Sequence, residues 1–146
     1  MPYPVVNGLR SIEFATPGAL RTRLIGLVLA GRKRATAGLL AEYEVEGEPI
    51  EHVGERLAVL DNEGSPVATI EISRVETLRF DEVPDAFALA EGEGDRNAAE
   101  FRAGHLRFWS DSGETVTDAT LVVTLYFDLV EPQGADSATH RAAHGS

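Results

Sequence analysis

Apolar residues recur along the chain with two different periods, and the changes between them mark out the elements. Leu20, Leu24, Leu27 and Val28 fall at helical spacing, Thr16 can cap a helix, Pro17 suits its first position and Gly31 can end it. The spacing predicts a helix over residues 17–30. Residues 35–40 read as a strand, and an acidic, exposed stretch that holds Tyr43 covers residues 42–51. Two short apolar runs, 57–60 and 67–72, flank Asp61-Asn62-Glu63-Gly64, which is turn chemistry. They predict a β-hairpin whose second strand continues through residues 75–78. Asp81-Glu82-Val83-Pro84 breaks the pattern, and Phe87, Ala88 and Ala90 suggest a short helix that stops at Gly92. Asp95 can cap a longer helix over residues 96–109, with Phe101, His105, Phe108 and Trp109 sharing a face. Residues 121–130 are almost continuously apolar, which marks a strand buried on both sides.

These elements organise the chain into three parts. Residues 1–12, with Pro2, Pro4, Asn7 and Gly8, are expected to form an irregular lead-in, and residues 13–132 a single domain. Residues 133–146 hold nothing more hydrophobic than alanine and are expected to be a disordered tail. A strand-rich middle with helices on either side predicts an α+β domain on a small, mainly antiparallel sheet or barrel.

Composition narrows the function classes. A length of 146 residues with 43% hydrophobic and 25% charged side chains suits one globular core. There is no cysteine, which excludes disulfides, thiolate metal sites and cysteine nucleophiles and fits a reducing cytoplasm. The longest apolar run, residues 24–30, is far short of the ~20 residues that span a bilayer, so no membrane segment is expected. The net charge of -11 opposes nucleic acids and anionic membranes at long range, and DNA is not an expected partner.

The charge is unevenly spread, however. Residues 1–41 carry six cations against the single acid Glu13. Lys33 is the one lysine among 13 basic residues. A lysine differs from an arginine in that it can give up its proton when buried or crowded by cations. Lys33 therefore stands out between Arg32 and Arg34, although cations there also suit the negative end of a helix dipole. A second unusual run is Glu91-Gly92-Glu93-Gly94-Asp95, poor as helix or strand, whose backbone can approach a ligand closely. Oxygen ligands would suit magnesium or calcium. The run lacks the twelve-residue calcium-loop pattern and no histidine pair is near, so neither a metal nor another cofactor is expected.

Taken in order, Gly31-x-Lys33-x-x-Thr36 after a helix, Val53-Gly54 with the hairpin behind it, Phe80-x-x-Val83, Ala90-Glu91-Gly92-Glu93-Gly94-Asp95 and Arg102-x-x-His105-x-x-Phe108 resemble the ASCH domain family. The resemblance covers about residues 13–131 and departs at Phe101, where longer bacterial members usually have Trp. It implies a PUA-like fold, a small, mainly antiparallel β-barrel with peripheral helices, and a cleft for RNA or modified nucleosides. A short bacterial branch of the family hydrolyses N4-acetylcytidine with a lysine, a threonine and a glutamate. By that likeness these roles fall on Lys33, Thr36 and Glu93.

The chemistry can be judged beside the resemblance. Thr36 could attack an acyl carbonyl if a neutral Lys33 took its proton, and Arg32 and Arg34 would favour that neutral form. Glu93 could orient the lysine or protonate the leaving nitrogen. A flat strand would put Lys33 and Thr36 on opposite faces, so a bend is required between them. Tyr43 is the candidate for stacking on a base. Arg32, Arg34, Glu91, Asp95 and His105 complete the expected substrate-binding set, and His105 equally suits packing beside Phe101 and Trp109. The expected activity is that of a cytoplasmic, metal-independent amidohydrolase acting on an N-acylated pyrimidine nucleoside such as N4-acetylcytidine. The alternatives are a non-catalytic RNA-binding module and a ribonuclease in which Lys33 stabilises a phosphorane. A modified nucleoside or a short RNA is the expected partner, with the acyl group and the oligomeric state left open.

Overall fold

The computed structural model describes residues 5–132, so the expected tail lies outside the described residues. Six strands form one sheet: β1 (Val5–Val6), β2 (Leu9–Ile12), β3 (Ala35–Leu39), β4 (Arg56–Leu60), β5 (Pro66–Arg79) and β6 (Leu121–Pro132). Their spatial order is β1-β2-β4-β5-β6-β3, and every pairing is antiparallel except β2 with β4. Four helices accompany it: α1 (Ala19–Leu29), α2 (Leu40–Glu46), α3 (Asp85–Glu91) and α4 (Ala98–Asp111). No helix among the described residues is long and apolar enough to cross a membrane.

The architecture is α+β, but the expected barrel is corrected to an open sheet with β1 and β3 as its edges. The physical reason lies between β2 and β3. A cavity lined by Ser11 and Ile12 of β2 and by Thr36, Ala37 and Gly38 of β3 lies between these two strands, which do not pair.

The expected irregular lead-in is also corrected, since residues 5–12 form β1 and β2. Asn7 and Gly8 take positive φ values of 54° and 81° between the paired Val6 and Leu9, the conformation of a tight hairpin turn. The hairpin at Asp61 forms as the turn residues predict, with Asp61 Oδ1 accepting from the backbone N–H of Glu63 and Ser65 at 2.9 Å each. β5 continues well past it. Its pairing with β6 is irregular in register between Thr69 and Ile70 and between Ile72 and Arg74.

One core packs α1 residues Leu24, Ile25 and Val28 on Leu57, Val59, Ile70 and Phe127 of the sheet. The other packs Phe87 of α3 and Phe101 and Trp109 of α4 around Phe80 and Val122. β6 lies between β5 and β3 and contributes to both, in keeping with its continuous apolar run. Three local expectations shift. α1 starts at Ala19 rather than residue 17, because Asn62 from the hairpin turn accepts from the Gly18 N–H at 2.8 Å and takes over the role given to Thr16. The acidic stretch expected to be a loop begins as α2, so Tyr43 is helical. α4 is capped by Asn97, whose side chain accepts from Glu100 N at 2.9 Å, and Asp95 is left in the preceding loop.

Candidate functional site

Lys33 reaches the site because the chain turns sharply out of α1. The backbone N–H groups of Arg32 and Lys33 both donate to the Leu27 carbonyl, at 2.9 and 3.1 Å. This bend before β3 supplies what a flat strand could not: Lys33 and Thr36 line the same cavity, about 610 Å³ in volume. The Lys33 side chain is 1% exposed. Its Nζ donates to the Ala35 carbonyl at 2.8 Å and to Glu93 Oε2 at 2.5 Å, and lies 4.0 Å from Glu91 Oε2. The Phe14 ring, centred 5.5 Å away, covers the ammonium from another side.

The acidic loop is held to this turn by its backbone. Arg34 N donates to the Ala90 carbonyl at 2.7 Å. Gly92 ends α3 with φ of +69°, and a Cβ there would run into the Arg32 carbonyl. Glycine is therefore what permits the close approach. Lys33 and Thr36 from the turn consequently line the cavity together with Glu91, Glu93 and Asp95 from the acidic loop.

Behind Lys33, Glu91 is 1% exposed. Burial pushes its carboxyl up to about 8, with Lys33 opposing the shift and Glu93 and Asp95 adding to it. His105 stacks on Phe101 at 4.1 Å between centroids and meets Trp109 edge-on at 5.2 Å. Burial lowers its pKa, against the pull of Glu93, so the ring is neutral at pH 7. Its Nε2 sits 3.5 Å from Glu91 Oε1. His105 thus does both things the sequence allowed, packing in the aromatic core and facing the site.

The chain that builds this cavity matches the family model for the ASCH domain over residues 10–131. The chain belongs to the ASCH domain family. Among solved structures, it is similar to an ASCH domain from Lactobacillus crispatus JV V101, at 28% identity and a TM-score of 0.72 over 86% of this chain and 82% of that one. A protein from Enterococcus faecalis V583 matches at 27% identity and a TM-score of 0.71, over 92% of this chain and 80% of the other. The ASCH protein of Zymomonas mobilis shares the fold at 8% identity and a TM-score of 0.50, over 84% of this chain and 75% of that one. Comparison with curated proteins finds no match.

In this ASCH chain, not every expected site residue reaches the cavity. Lys33, Thr36, Glu93, Tyr43, Glu91, Asp95 and His105 line it. Arg32 and Arg34 do not, which corrects their expected place beside the substrate. They are exposed on either side of the buried Lys33 and border a separate shallow depression with Ser73, Leu89 and Tyr126. Arg34 instead lies 3.7 Å from Asp128 Oδ1. Other early cations are also engaged elsewhere. Arg10 binds Glu48 and Glu55 at 3.1 and 2.9 Å, and Arg21 donates to the Phe14 and Ala15 carbonyls at 3.0 and 2.7 Å.

The cavity is therefore acidic, not cationic. Eight carboxylate residues line it against Lys33 and His105, including Glu42 and Glu46 of α2, Glu51 and Glu114. Sequence reasoning missed these four as site residues, although the acidic run after Tyr43 was their signal. Tyr43 itself presents its ring from α2, with its hydroxyl donating to Glu51 Oε1 at 2.7 Å.

The raised Glu91 pKa carries a pH prediction. An exposed glutamate titrates near ~4.3, so between that pH and about 8 the folded state holds a proton that the unfolded state has lost. Stability contributed by Glu91 is thus present at pH 5 and lost as the pH rises through 8. Urea unfolding at pH 5 and pH 8 in chelator-containing buffer should show the wild type losing stability over this range. Glu91→Gln, which stays neutral, should flatten the change; an unaltered pH dependence would show that Glu91 is not the group responsible.

Proposed function

We propose that this chain hydrolyses the amide of an N-acylated pyrimidine nucleoside, with N4-acetylcytidine as the representative substrate. The observation that carries this reading is the buried Lys33 nitrogen, 2.5 Å from Glu93 Oε2 on the wall of a cavity that Thr36 also lines. A volume of about 610 Å³ falls within the ~300–1,000 Å³ of small-molecule sites. The acidic lining opposes phosphate, and so favours an unphosphorylated nucleoside over a nucleotide or an RNA strand. That charge weighs against both the RNA-binding and the ribonuclease readings. A cytoplasmic setting and a PUA-like relationship of the fold belong to the same proposal.

The geometry supports the following roles. Glu93 orients Lys33 and accepts the proton whose loss leaves the amine neutral. Thr36 Oγ1 then bonds to the acyl carbon while its proton passes to Lys33 Nζ. Collapse of the adduct breaks the carbon–nitrogen bond, and that proton goes to the departing amine of the base. Water attacks the acyl-threonine ester, giving its proton to Lys33, and the acid leaves as the ester bond breaks and Lys33 passes that proton to Thr36 Oγ1. Tyr43 offers its ring face to the pyrimidine.

Purified protein incubated with N4-acetylcytidine should release cytidine and acetate in equal amounts. The 5′-phosphorylated form should turn over about tenfold more slowly because of the acidic lining. Absence of turnover on any acylated cytidine, together with salt-sensitive RNA binding, would replace this reading by the binding module.

A further inference from the structure

His105, Glu91 and Asp95 form a cluster that amide hydrolysis by Lys33 and Thr36 does not use. Each offers one donor atom, and the three atoms lie within 4.8 Å of one another. We propose that they bind one divalent transition-metal cation of the zinc class on the cavity wall, a site that stands independently of the hydrolase reading.

The imidazole is set up as a ligand. Its Nδ1 lies 3.1 Å from the Phe101 carbonyl, and only a protonated nitrogen can make that hydrogen bond. The proton therefore sits on Nδ1, and Nε2 carries a lone pair aimed at the site. A backbone carbonyl bound to the far nitrogen is the arrangement that orients metal-binding histidines. Stacking on Phe101 at 4.1 Å fixes the plane of the ring.

Glu91 supplies the independent sign. Its Oε1 is buried and accepts no hydrogen bond among the described residues, yet it faces Nε2 of His105 at 3.5 Å. Two lone pairs facing one another need a proton or a cation between them, and a metal ion can take the place that a proton otherwise fills. Tetrahedral zinc with bonds of ~2.0 Å places its ligands about 3.3 Å apart, so Glu91 and His105 need hardly move. Asp95 approaches from the loop before α4, where its side chain is partly exposed and can close the site. Among the described residues, Lys33 is the lysine or arginine that pairs with the Glu91 and Glu93 carboxylates, and Asp95 adds a further acid, so a divalent ion also offsets negative charge.

One imidazole with two carboxylates suits zinc, and also manganese, better than calcium, which prefers an all-oxygen shell. Bound there, the cation would tie the loop after α3 to the second turn of α4. It would thereby stiffen the wall that carries Glu93.

Calorimetric titration of zinc chloride into chelator-stripped protein tests this directly, with manganese followed in parallel by electron paramagnetic resonance. The wild type should bind one equivalent and melt at a higher temperature with the metal present. Asp95→Asn and His105→Gln should each weaken binding at least ~tenfold while remaining folded by circular dichroism. Glu46→Gln, which removes another cavity carboxylate, should leave the affinity unchanged. The proposal is overturned if the wild type binds no zinc, if Asp95→Asn and His105→Gln bind as well as it does, or if Glu46→Gln weakens binding equally. In the first two cases the Glu91–His105 contact is a shared proton, and in the last the acidic cavity attracts cations without a site.

Discussion

Thr36→Val and Lys33→Arg should each cut hydrolysis of N4-acetylcytidine by about 100-fold or more, the scale of losing a nucleophile or a general base. Valine keeps the branched shape of threonine and removes the hydroxyl that would attack. Arginine keeps the charge beside Glu93 but does not give up its proton at neutral pH, so it cannot act as base. Both variants should still bind the nucleoside, since the cavity wall and Tyr43 are intact. If the two residues work as one unit, the double variant should be no slower than the worse single one. Lys33 is almost wholly buried, so thermal melts must accompany the kinetics for Lys33→Arg. Thr36→Val is the safer test because its side chain is only half-buried. Full turnover by a folded Thr36→Val protein would remove the covalent route altogether.

Gly92→Ala should be among the most damaging single-methyl changes in the fold. The new Cβ would run into the Arg32 carbonyl and lie 2.9 Å from Lys33 Cα, and both are backbone atoms that cannot swing aside. Left-handed backbone at φ of +69° adds to the cost for a side-chain-bearing residue. Together these suggest a loss of roughly 3 kcal/mol, to be read by urea unfolding. Gly113→Ala is the control, because Gly113 also has positive φ, at +87°, but meets no atom within 4 Å. It should lose about 1 kcal/mol. Equal losses in the two variants would show that the acidic loop moves freely away from the Lys33 turn. In the expected case, Gly92→Ala also loses hydrolysis, because Glu93 is displaced from Lys33.

Much of this site could be read along the chain. The turn after the first helix and the glycine-interleaved acidic run stood out by composition, and the ASCH resemblance joined them. Their meeting is borne out by the Lys33–Glu93 ion pair and the Arg34–Ala90 backbone hydrogen bond. The short helix ending at Gly92 and the strand over β6 followed from local patterns as well. The Asn7-Gly8 turn was equally local, but it was read as part of an irregular lead-in although it joins β1 to β2.

Other features had no local signature. Whether Arg32 and Arg34 face the substrate depends on how residues 31–35 enter the sheet, and the bend that buries Lys33 leaves both arginines exposed. The expectation of no metal rested on the acidic run alone and did not weigh His105, which lies further along the chain within α4 and is brought to Glu91 by folding. α2 places three acids and Tyr43 in a stretch of polar sequence, and its packing brings Glu42 and Glu46 to the cavity. The sequence by itself determined the residue types at the site and the turns that present them, because glycine, proline and hydrophobic period act within a few residues. Only the tertiary structure decided which carboxylates meet Lys33, which cations turn away and why the sheet stays open, because these depend on packing between segments far apart in the chain.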